Sequence, residues 1–339
     1  MQGSLADFTT LRLGGPAARV VEATETDQLV DLVRAADRER EPVLVVGGGS
    51  NLVVGDDGWD GVVVLIRTRG IEWHEVGDSV VLTVPAGEPW DDLVALTVGQ
   101  GWSGLAAMSG IPGLAGATPI QNVGAYGSEV SDVIAGLQVL DRQTGLVEDW
   151  EPARCGFGFR TSAFKHTDRY VVLTVTFALR RSPDAPPVRY LELARRLGVQ
   201  PGETAPSEEV RKVVLDLRRS KGMVLDAADH DSWSVGSFFV NPFVAPEQVP
   251  DGCPNWEVDG RIKLSAAWLI ENAGFGKGFG LELGRGRVAL STKHTLALTN
   301  RGDATTAELL ELARVIRDGV EARFGIRLRP EAHLVGVAL

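Results

Sequence analysis

Two glycine-rich stretches, about sixty residues apart, constrain this chain more than any other feature of its sequence. The first follows the apolar run Pro42–Val46 and reads Gly47-Gly48-Gly49-Ser50-Asn51, and the second covers residues 111–127. Because glycine has no Cβ, its backbone amides can approach a phosphate group or a flat ring closely. Together the two stretches predict a bound nucleotide cofactor.

The first stretch matches neither of the common phosphate-binding motifs. No Gly-Lys-Ser/Thr follows it, which excludes a P-loop. Leu52 stands where a dinucleotide-binding fingerprint would have its third glycine, and Val53 and Val54 after it favour a strand over a helix. Two interpretations stay open: a nest of backbone N–H groups around a pyrophosphate, and a plain tight turn.

The second stretch is harder to interpret as a turn. It has glycines at four positions and prolines at Pro112 and Pro119, and loops of this length are usually functional or disordered. Its apolar residues Ile111, Ile120 and Val123 argue against disorder. We therefore favour a functional loop over a structural one.

Bulk composition excludes several classes of protein. The 339 residues suffice for two or three domains, and 44% hydrophobic with 23% charged residues is ordinary for a globular chain. A net charge of −11 disfavours nucleic acid as a partner. The apolar runs are too short to span a membrane, the first residues do not form a secretory signal, and Cys155 and Cys253 lack metal-ligand spacing. We expect a cytoplasmic enzyme without a metal and, since no oligomerisation stripe is evident, a monomer.

The periodicity of apolar residues predicts mixed helices and strands. Residues 17–66 are typical of a β-α-β-β unit in which Thr26 is the N-cap, and residues 188–230 are typical of helices. The clearest helix, Ala304–Arg323, begins at a capping box formed by Thr305 and Glu308 and ends at Gly325. A last strand is predicted at 332–337, where it returns to an earlier sheet.

An ordered set of motifs over nearly the whole chain resembles the UDP-N-acetylenolpyruvoylglucosamine reductases. The motifs are Thr9–Pro16, Gly47–Asn51, Ile111–Gly113, Pro119–Gly127, Gly156–Arg160, Phe164–His166, Gly236–Pro242 and Pro330-Glu331. One such motif would be weak, but the set in family order is specific.

The resemblance implies an α+β fold with three parts. A two-lobed FAD-binding fold of the vanillyl-alcohol oxidase type precedes a C-terminal α+β domain that binds the UDP-sugar. The expected boundaries are 1–67 for the first lobe, with a strand from 326–339 returning to it, 68–217 for the second lobe with a substrate loop, and 218–325 for the substrate domain.

The resemblance also implies a reaction in two steps. NADPH reduces a non-covalently held FAD and leaves. UDP-N-acetylglucosamine enolpyruvate then binds, the flavin passes a hydride to its enolpyruvyl methylene carbon, and a proton reaches the adjacent carbon. The product, UDP-N-acetylmuramate, is used for peptidoglycan.

Three residues match the family's chemical groups. Arg160 would hold the substrate carboxylate, for which a guanidinium is suited through paired N–H bonds. Ser237 would donate the proton, and Glu331 would polarise the enol intermediate. From the residues alone each has an ordinary alternative: a surface ion pair, a serine bonded to a turn, and a solvated glutamate.

The remaining site residues also follow from the resemblance. The expected cofactor-binding residues are Gly47, Gly48, Gly49, Ser50, Asn51, Ile111, Pro112, Gly113, Gly116, Ala117, Gln121, Asn122, Gly124, Ala125, Tyr126 and Gly127. The expected substrate-binding residues are Tyr190, Arg218, Lys221, Asn241 and Lys263. Tyr190 resembles the mobile-loop tyrosine of the family's first type, whereas basic residues such as Arg218 and Lys221 are otherwise typical of a solvated helix face.

Two positions depart from the family pattern, and two other functions stay open. His333 stands where an arginine is frequent and Val240 where a lysine is frequent, so no charge is carried over to either. No histidine lies in the first glycine loop, which excludes a histidyl–flavin bond there. The alternatives are an oxidase of the same FAD superfamily and a non-catalytic nucleotide-sugar binding protein.

Overall fold

The computed structural model describes residues 3–258 and 260–339. Met1 and Gln2, in the predicted first lobe, and Asp259, in the predicted substrate domain, lie outside the described residues. Within the described residues, no helix is both long enough and apolar enough to cross a bilayer.

The described part of the chain mixes many short strands with a few helices. The strands are β1 Gly3–Ser4, β2 Pro16–Ala23, β3 Val43–Val46, β4 Leu52–Val54, β5 Trp59–Ile66, β6 Glu72–Val76, β7 Ser79–Pro85, β8 Trp102–Ser103, β9 Gly124–Ala125, β10 Ser128–Glu129, β11 Ile134–Asp141, β12 Leu146–Trp150, β13 Tyr170–Arg181, β14 Phe243–Val244, β15 Asn255–Val258, β16 Arg261–Leu264, β17 Val288–Leu290, β18 Leu298–Asn300 and β19 His333–Val335. The α-helices are α1 Thr26–Glu39, α2 Trp90–Gly99, α3 Leu191–Leu197, α4 Ser207–Ser220, α5 Ala266–Asn272 and α6 Thr306–Phe324.

The chain divides into two compact units. The first contains Ala18–Gly48 and Asp60–Arg219, and the second contains Gly3–Ala17, Gly49–Trp59 and Ser220–Leu339. The break after Arg219 lies close to the boundary predicted at 217/218. The division into two lobes and a substrate domain at the predicted boundaries stays a prediction.

The first unit contains a small sheet with a helix next to it. Strands β2, β5 and β3 lie in that order, and β3 runs parallel to β5. Helix α1 buries Leu29 and Val33, as their spacing predicts. The prediction of Thr26 as N-cap was wrong: Glu25 occupies the extended cap position, and Thr26 is already the first helical residue.

A second, larger sheet in the first unit has the order β12-β11-β13-β7-β6, and every pair in it is antiparallel. Helix α2 begins at Trp90, which is fully buried against Phe177 of β13 with the ring centroids 6.0 Å apart. The connection between β7 and α2 makes backbone hydrogen bonds to residues 113–116, so this core holds the first part of the second glycine-rich stretch.

The second unit is built around α6 and a parallel pair of strands. The capping box of Thr305 and Glu308 and the left-handed Gly325 at the C-cap are confirmed. Asp56 adds a second cap, since its carboxylate accepts hydrogen bonds from the backbone N–H groups of Thr306 and Ala307. Strand β19 pairs in parallel with β4, which places the end of the chain beside the first glycine loop.

Candidate active site

The boundary between the two units falls inside the first glycine loop, so the predicted site residues divide between them. The first unit carries Gly47, Gly48, all predicted residues of 111–127, Arg160, Tyr190 and Arg218; the second carries Gly49, Ser50, Asn51, Lys221, Ser237, Asn241, Lys263 and Glu331. Each unit is described separately below.

In the first unit the two glycine stretches meet. A Cβ on Gly48 would lie 2.8 Å from the Cα of Gly113, closer than real side chains approach a backbone. Gly47 lies against the side chain of Leu114, which a Cβ would approach to 3.5 Å. The sequence linked the two stretches only through a shared cofactor; in the fold they are also in backbone contact, which glycine makes possible.

The second stretch is tied along the connection between β7 and α2. The Ala115 N–H donates to Glu88 O, the Gly116 N–H donates to Ala86 O, and the Gly113 carbonyl accepts from Trp90 N. A Cβ on Gly116 would lie 2.3 Å from the Cβ of Ala86. The glycine at 116 is thus required by packing, whether or not its backbone also contacts a ligand.

The side chain of Asn122, a residue predicted to bind the cofactor, forms hydrogen bonds within the protein through both its nitrogen and its oxygen. Its Nδ2 donates to Glu129 Oε2 at 2.8 Å and to Gly158 O at 3.2 Å, and its Oδ1 accepts from Ser131 N at 3.1 Å. The residue is 1% exposed. Its side chain therefore holds the second glycine stretch to the turn that precedes Arg160, and a cofactor contact is left to its backbone.

The Arg160 side chain in turn bonds to the backbone of the second glycine stretch. Its Nη2 donates to Gly124 O at 2.6 Å, and its Nη1 lies 3.5 Å from Asn122 O. Arg160, Asn122 and Tyr126 all have positive φ, between 46° and 53°, which is uncommon outside glycine. Left-handed non-glycine residues cluster at functional sites, where the surrounding structure holds them in place.

Two tyrosines and Arg218 form a second cluster in the first unit. The rings of Tyr126 and Tyr190 meet edge to face, with centroids 5.4 Å apart. Burial raises the pKa of the Tyr126 hydroxyl to about 12, although the nearby Arg218 guanidinium acts in the opposite direction. Burial likewise lowers the pKa of Arg218, against the charges of Tyr126 and Asp91. The structure thus brings together two predicted substrate residues and one predicted cofactor residue.

In the second unit the segments that carry Ser237 and Glu331 lie side by side. The Glu331 N–H donates to Phe238 O at 2.8 Å, and Phe239 forms a bridge with Pro330. Phe238 and Phe239 are fully buried, and they anchor the segment on the core of the unit. Two of the three predicted chemical groups are therefore neighbours across a backbone pairing.

The first glycine loop meets the Glu331 segment within the same unit. The His333 N–H donates to Asn51 O at 2.9 Å, and Asn51 Nδ2 lies 3.5 Å from Glu331 O. His333, one of the two departures from the family pattern, has an exposed side chain. At the other departure, the Val240 N–H donates to Arg329 O.

Around Lys221 the structure places two residues that the sequence did not single out. Burial lowers the pKa of His294 to about 4, and the charges of Lys221 and Lys277 act in the same direction. At neutral pH this imidazole is uncharged and lies near two ammonium groups. No local sequence signal identifies this residue, because its environment depends on burial and on lysines at other places in the chain.

Of the other two predicted substrate residues, both in the second unit, Asn241 lies just before β14 and Lys263 lies on β16. Asn241 Oδ1 accepts a hydrogen bond from the first N–H of α5, that of Ala266, at 3.0 Å. Lys263 lies on β16 with its ammonium 5.6 Å from the ring centre of Trp256.

Comparison with known proteins covers both units. Two family models match: an FAD binding domain over residues 17–150, and the C-terminal domain of UDP-N-acetylenolpyruvoylglucosamine reductase over residues 228–335. The UDP-N-acetylenolpyruvoylglucosamine reductases of Saccharopolyspora erythraea and Salinispora arenicola are 56% and 55% identical to this chain, over 99% of it and 95% of each relative. The crystal structure of the Thermus caldophilus UDP-N-acetylenolpyruvylglucosamine reductase matches 99% of this chain and 98% of its own, with a TM-score of 0.68 at 24% identity.

These matches confirm the predicted α+β fold with an FAD-binding part and a C-terminal substrate part. The identity of more than half of all positions extends over nearly the full length of the chain and of its relatives. The chain belongs to the family of UDP-N-acetylenolpyruvoylglucosamine reductases.

Proposed function

We infer that this chain is an FAD-dependent reductase that converts UDP-N-acetylglucosamine enolpyruvate to UDP-N-acetylmuramate for peptidoglycan, with NADPH as reductant. The observation that carries this function is the likeness to named reductases over 99% of the chain, which includes both units. We also propose that the enzyme acts in the cytoplasm as a monomer.

The residues present fit an FAD. The close approach of Gly48 to Gly113 leaves two uncharged stretches of backbone next to each other, as a ligand with a pyrophosphate and a flat ring system requires. When bound, FAD supplies the hydride, taken from NADPH, that adds to the enolpyruvyl methylene carbon. We propose that the predicted residues of 47–51 and 111–127 bind it without a covalent bond, with Asn122 contributing through its backbone.

We propose that Arg160 binds the carboxylate of the enolpyruvyl group. Negative charge grows on this carboxylate and on the adjacent carbon when hydride is added, and a guanidinium stabilises that charge most in the transition state. The bond from Nη2 to Gly124 O fixes the direction of the guanidinium before substrate arrives, which supports this role.

We propose that Ser237 donates the proton to the adjacent carbon and that Glu331 polarises the intermediate. A serine hydroxyl is a weak acid, so its role depends on a strongly basic acceptor and on accurate positioning. The pairing of Phe238 O with the Glu331 N–H supports the proposal, because it holds both residues on one rigid part of the second unit.

For the rest of the substrate we propose contacts from Tyr190, Arg218, Lys221, Asn241 and Lys263. The cationic side chains would neutralise the diphosphate of a UDP-sugar. Because the protein as a whole has a net charge of −11, this positive charge must be concentrated at the binding site. Tyr190 is 42% exposed at the start of α3, where it can cover a bound ligand. Asn241 would use its Nδ2 group, because its Oδ1 already caps α5.

The visible spectrum of the purified protein is the first test of this function. We expect flavin bands, release of free FAD on denaturation, bleaching by NADPH without oxygen, and recovery on adding the enolpyruvyl substrate. Absence of flavin, even after incubation with FAD, would contradict the function. Rapid reoxidation by oxygen, with none by the enolpyruvyl substrate, would support the oxidase alternative instead.

A further inference from the structure

The N-terminal motif Thr9–Pro16 is part of the family resemblance, yet none of its residues has a role in the proposed reaction. In the second unit this segment contacts both the first glycine loop and the segment that carries Ser237. Thr10 makes one bond to each. Its N–H donates to Gly49 O at 3.3 Å, and its Oγ1 donates to Ser234 O at 2.7 Å.

The bond to Ser234 leads directly to the proposed proton donor. The Ser234 Oγ accepts from the N–H of Gly236 at 3.1 Å, and Ser237 follows. Gly236 has a φ of 74°, so the chain turns sharply between the bonded carbonyl and Ser237. Beyond Ser237, Phe238 is held on both sides, its N–H by Leu296 O and its carbonyl by Glu331 N. The short segment 234–238 is therefore held at both ends: the Thr10 hydroxyl bonds to its N-terminal end, and the bonds of Phe238 hold its C-terminal end.

Other contacts also hold the N-terminal motif against the segment that precedes Ser237. Asn300 Nδ2 donates to the carbonyl of Leu11 at 3.0 Å, while the Asn300 N–H donates to Trp233 O. The Arg12 guanidinium lies 3.8 Å from the centre of the Trp233 ring. The Arg12–Trp233 contact joins the segment 10–12 to the segment 233–234 directly, and Asn300 joins them by bonding to both.

We infer that Thr10 is a positioning residue for the proton-transfer step: its hydroxyl fixes the Ser234 carbonyl and, through the turn at Gly236, the place of Ser237. The inference rests on the proposed function. Thr10 and Ser234 are 6% and 5% exposed, so removing the hydroxyl leaves a buried carbonyl without its donor. The segment must then shift or admit water, and either change misplaces Ser237.

The variant Thr10→Val tests this, because it keeps the shape of the side chain and the backbone bond to Gly49. The holoenzyme is reduced with NADPH without oxygen and then mixed with the enolpyruvyl substrate in a stopped-flow instrument. We expect unchanged bleaching and unchanged substrate affinity. Reoxidation should slow by roughly 10-fold to 10²-fold, the scale on which small misplacements reduce rates. Its solvent deuterium isotope effect should increase, because proton transfer becomes rate-limiting.

Two further variants separate positioning from general loss of stability. Thr10→Ser keeps the hydroxyl and should react as the wild type does. Thr97→Val removes a comparable buried bond, from Thr97 Oγ1 to Val94 O at 2.9 Å in α2 of the first unit, and should leave reoxidation unchanged.

Several results would overturn the role of Thr10. They are equal slowing of both half-reactions in Thr10→Val, no slowing of reoxidation, or a Thr10→Ser enzyme as slow as Thr10→Val. If the wild type is reoxidised normally, each of these results contradicts the role of Thr10 and leaves the proposed function unaffected. A wild-type flavin that is reduced by NADPH but never reoxidised by the enolpyruvyl substrate would overturn the proposed function, and the role of Thr10 with it.

Discussion

Replacement of Asn122 by alanine should destabilise the protein even when no cofactor is bound. The substitution removes hydrogen bonds to Glu129, Gly158 and Ser131 from a side chain that is 1% exposed. At about 1 kcal/mol for each bond, and roughly 1 kcal/mol for placing alanine at a φ of 46°, the loss is about 4 kcal/mol. A domain is typically stable by about 5–15 kcal/mol, so this is a large fraction.

The assay is urea unfolding of the FAD-free protein, with hydrogen exchange over residues 120–131 as a local readout. We expect a lower midpoint with a similar slope, and faster exchange in this loop. The matched control is Asn272→Ala, which removes one exposed bond to Trp268 O at the end of α5 and should cost less than about 0.5 kcal/mol. The reasoning fails if Asn122→Ala unfolds like the wild type without FAD but binds FAD more weakly, since the side chain would then act on the cofactor directly.

Further substitutions address the first glycine loop, the proposed proton donor Ser237, and His294, which lies near Lys221 and Lys277. Gly48→Ala should reduce the flavin content of the purified protein, because its Cβ strikes the backbone of the second stretch, whereas Gly99→Ala, where a Cβ meets nothing within 4 Å, should not. Ser237→Ala should leave bleaching by NADPH intact and slow reoxidation by about 10²–10⁴-fold; equal slowing of both steps would exclude it as the proton donor. Lys221→Ala should weaken substrate binding and raise the pKa of His294, and an unchanged KM would count against a phosphate contact. Because the folded-state pKa of His294 is lowered to about 4 from 6.5, its contribution to stability is present above pH 6.5 and is lost as the pH falls towards 4; His294→Gln should therefore flatten the stability profile over that range, as measured by denaturation at several pH values.

Local signals in the sequence predicted local structure well when one interaction dominated. The capping box at Thr305 and Glu308 was predicted correctly because both of its bonds form within four residues. The prediction for Thr26 was wrong, although the threonine precedes a clear apolar face. Gln28 Oε1 accepts the Thr24 N–H, and the helix begins one residue earlier than a threonine cap would allow.

The network around Ser237, the proposed proton donor, could not be predicted in this way. Thr10 and Ser234 are separated by 224 positions, and neither belongs to a residue type or spacing that indicates such a bond. The same holds for His294, whose lowered pKa depends on burial and on lysines at other places in the chain. Resemblance to a family predicted the reacting groups, whereas the groups that hold these residues became visible only in the folded chain.

Two glycines show why a resemblance to a family does not by itself assign a binding role. Gly48 and Gly116 are both predicted to bind the cofactor, and both are places where a Cβ would collide with neighbouring atoms. At Gly48 the collision is with the backbone of the second stretch, so glycine there allows the two predicted cofactor loops to meet. At Gly116 the collision is with Ala86, a core residue, so packing is sufficient to require glycine. An alanine at either position should therefore lower the stability of the FAD-free protein. Only the alanine at Gly48 should in addition weaken FAD binding beyond that loss, so the FAD affinities of the two variants distinguish these roles.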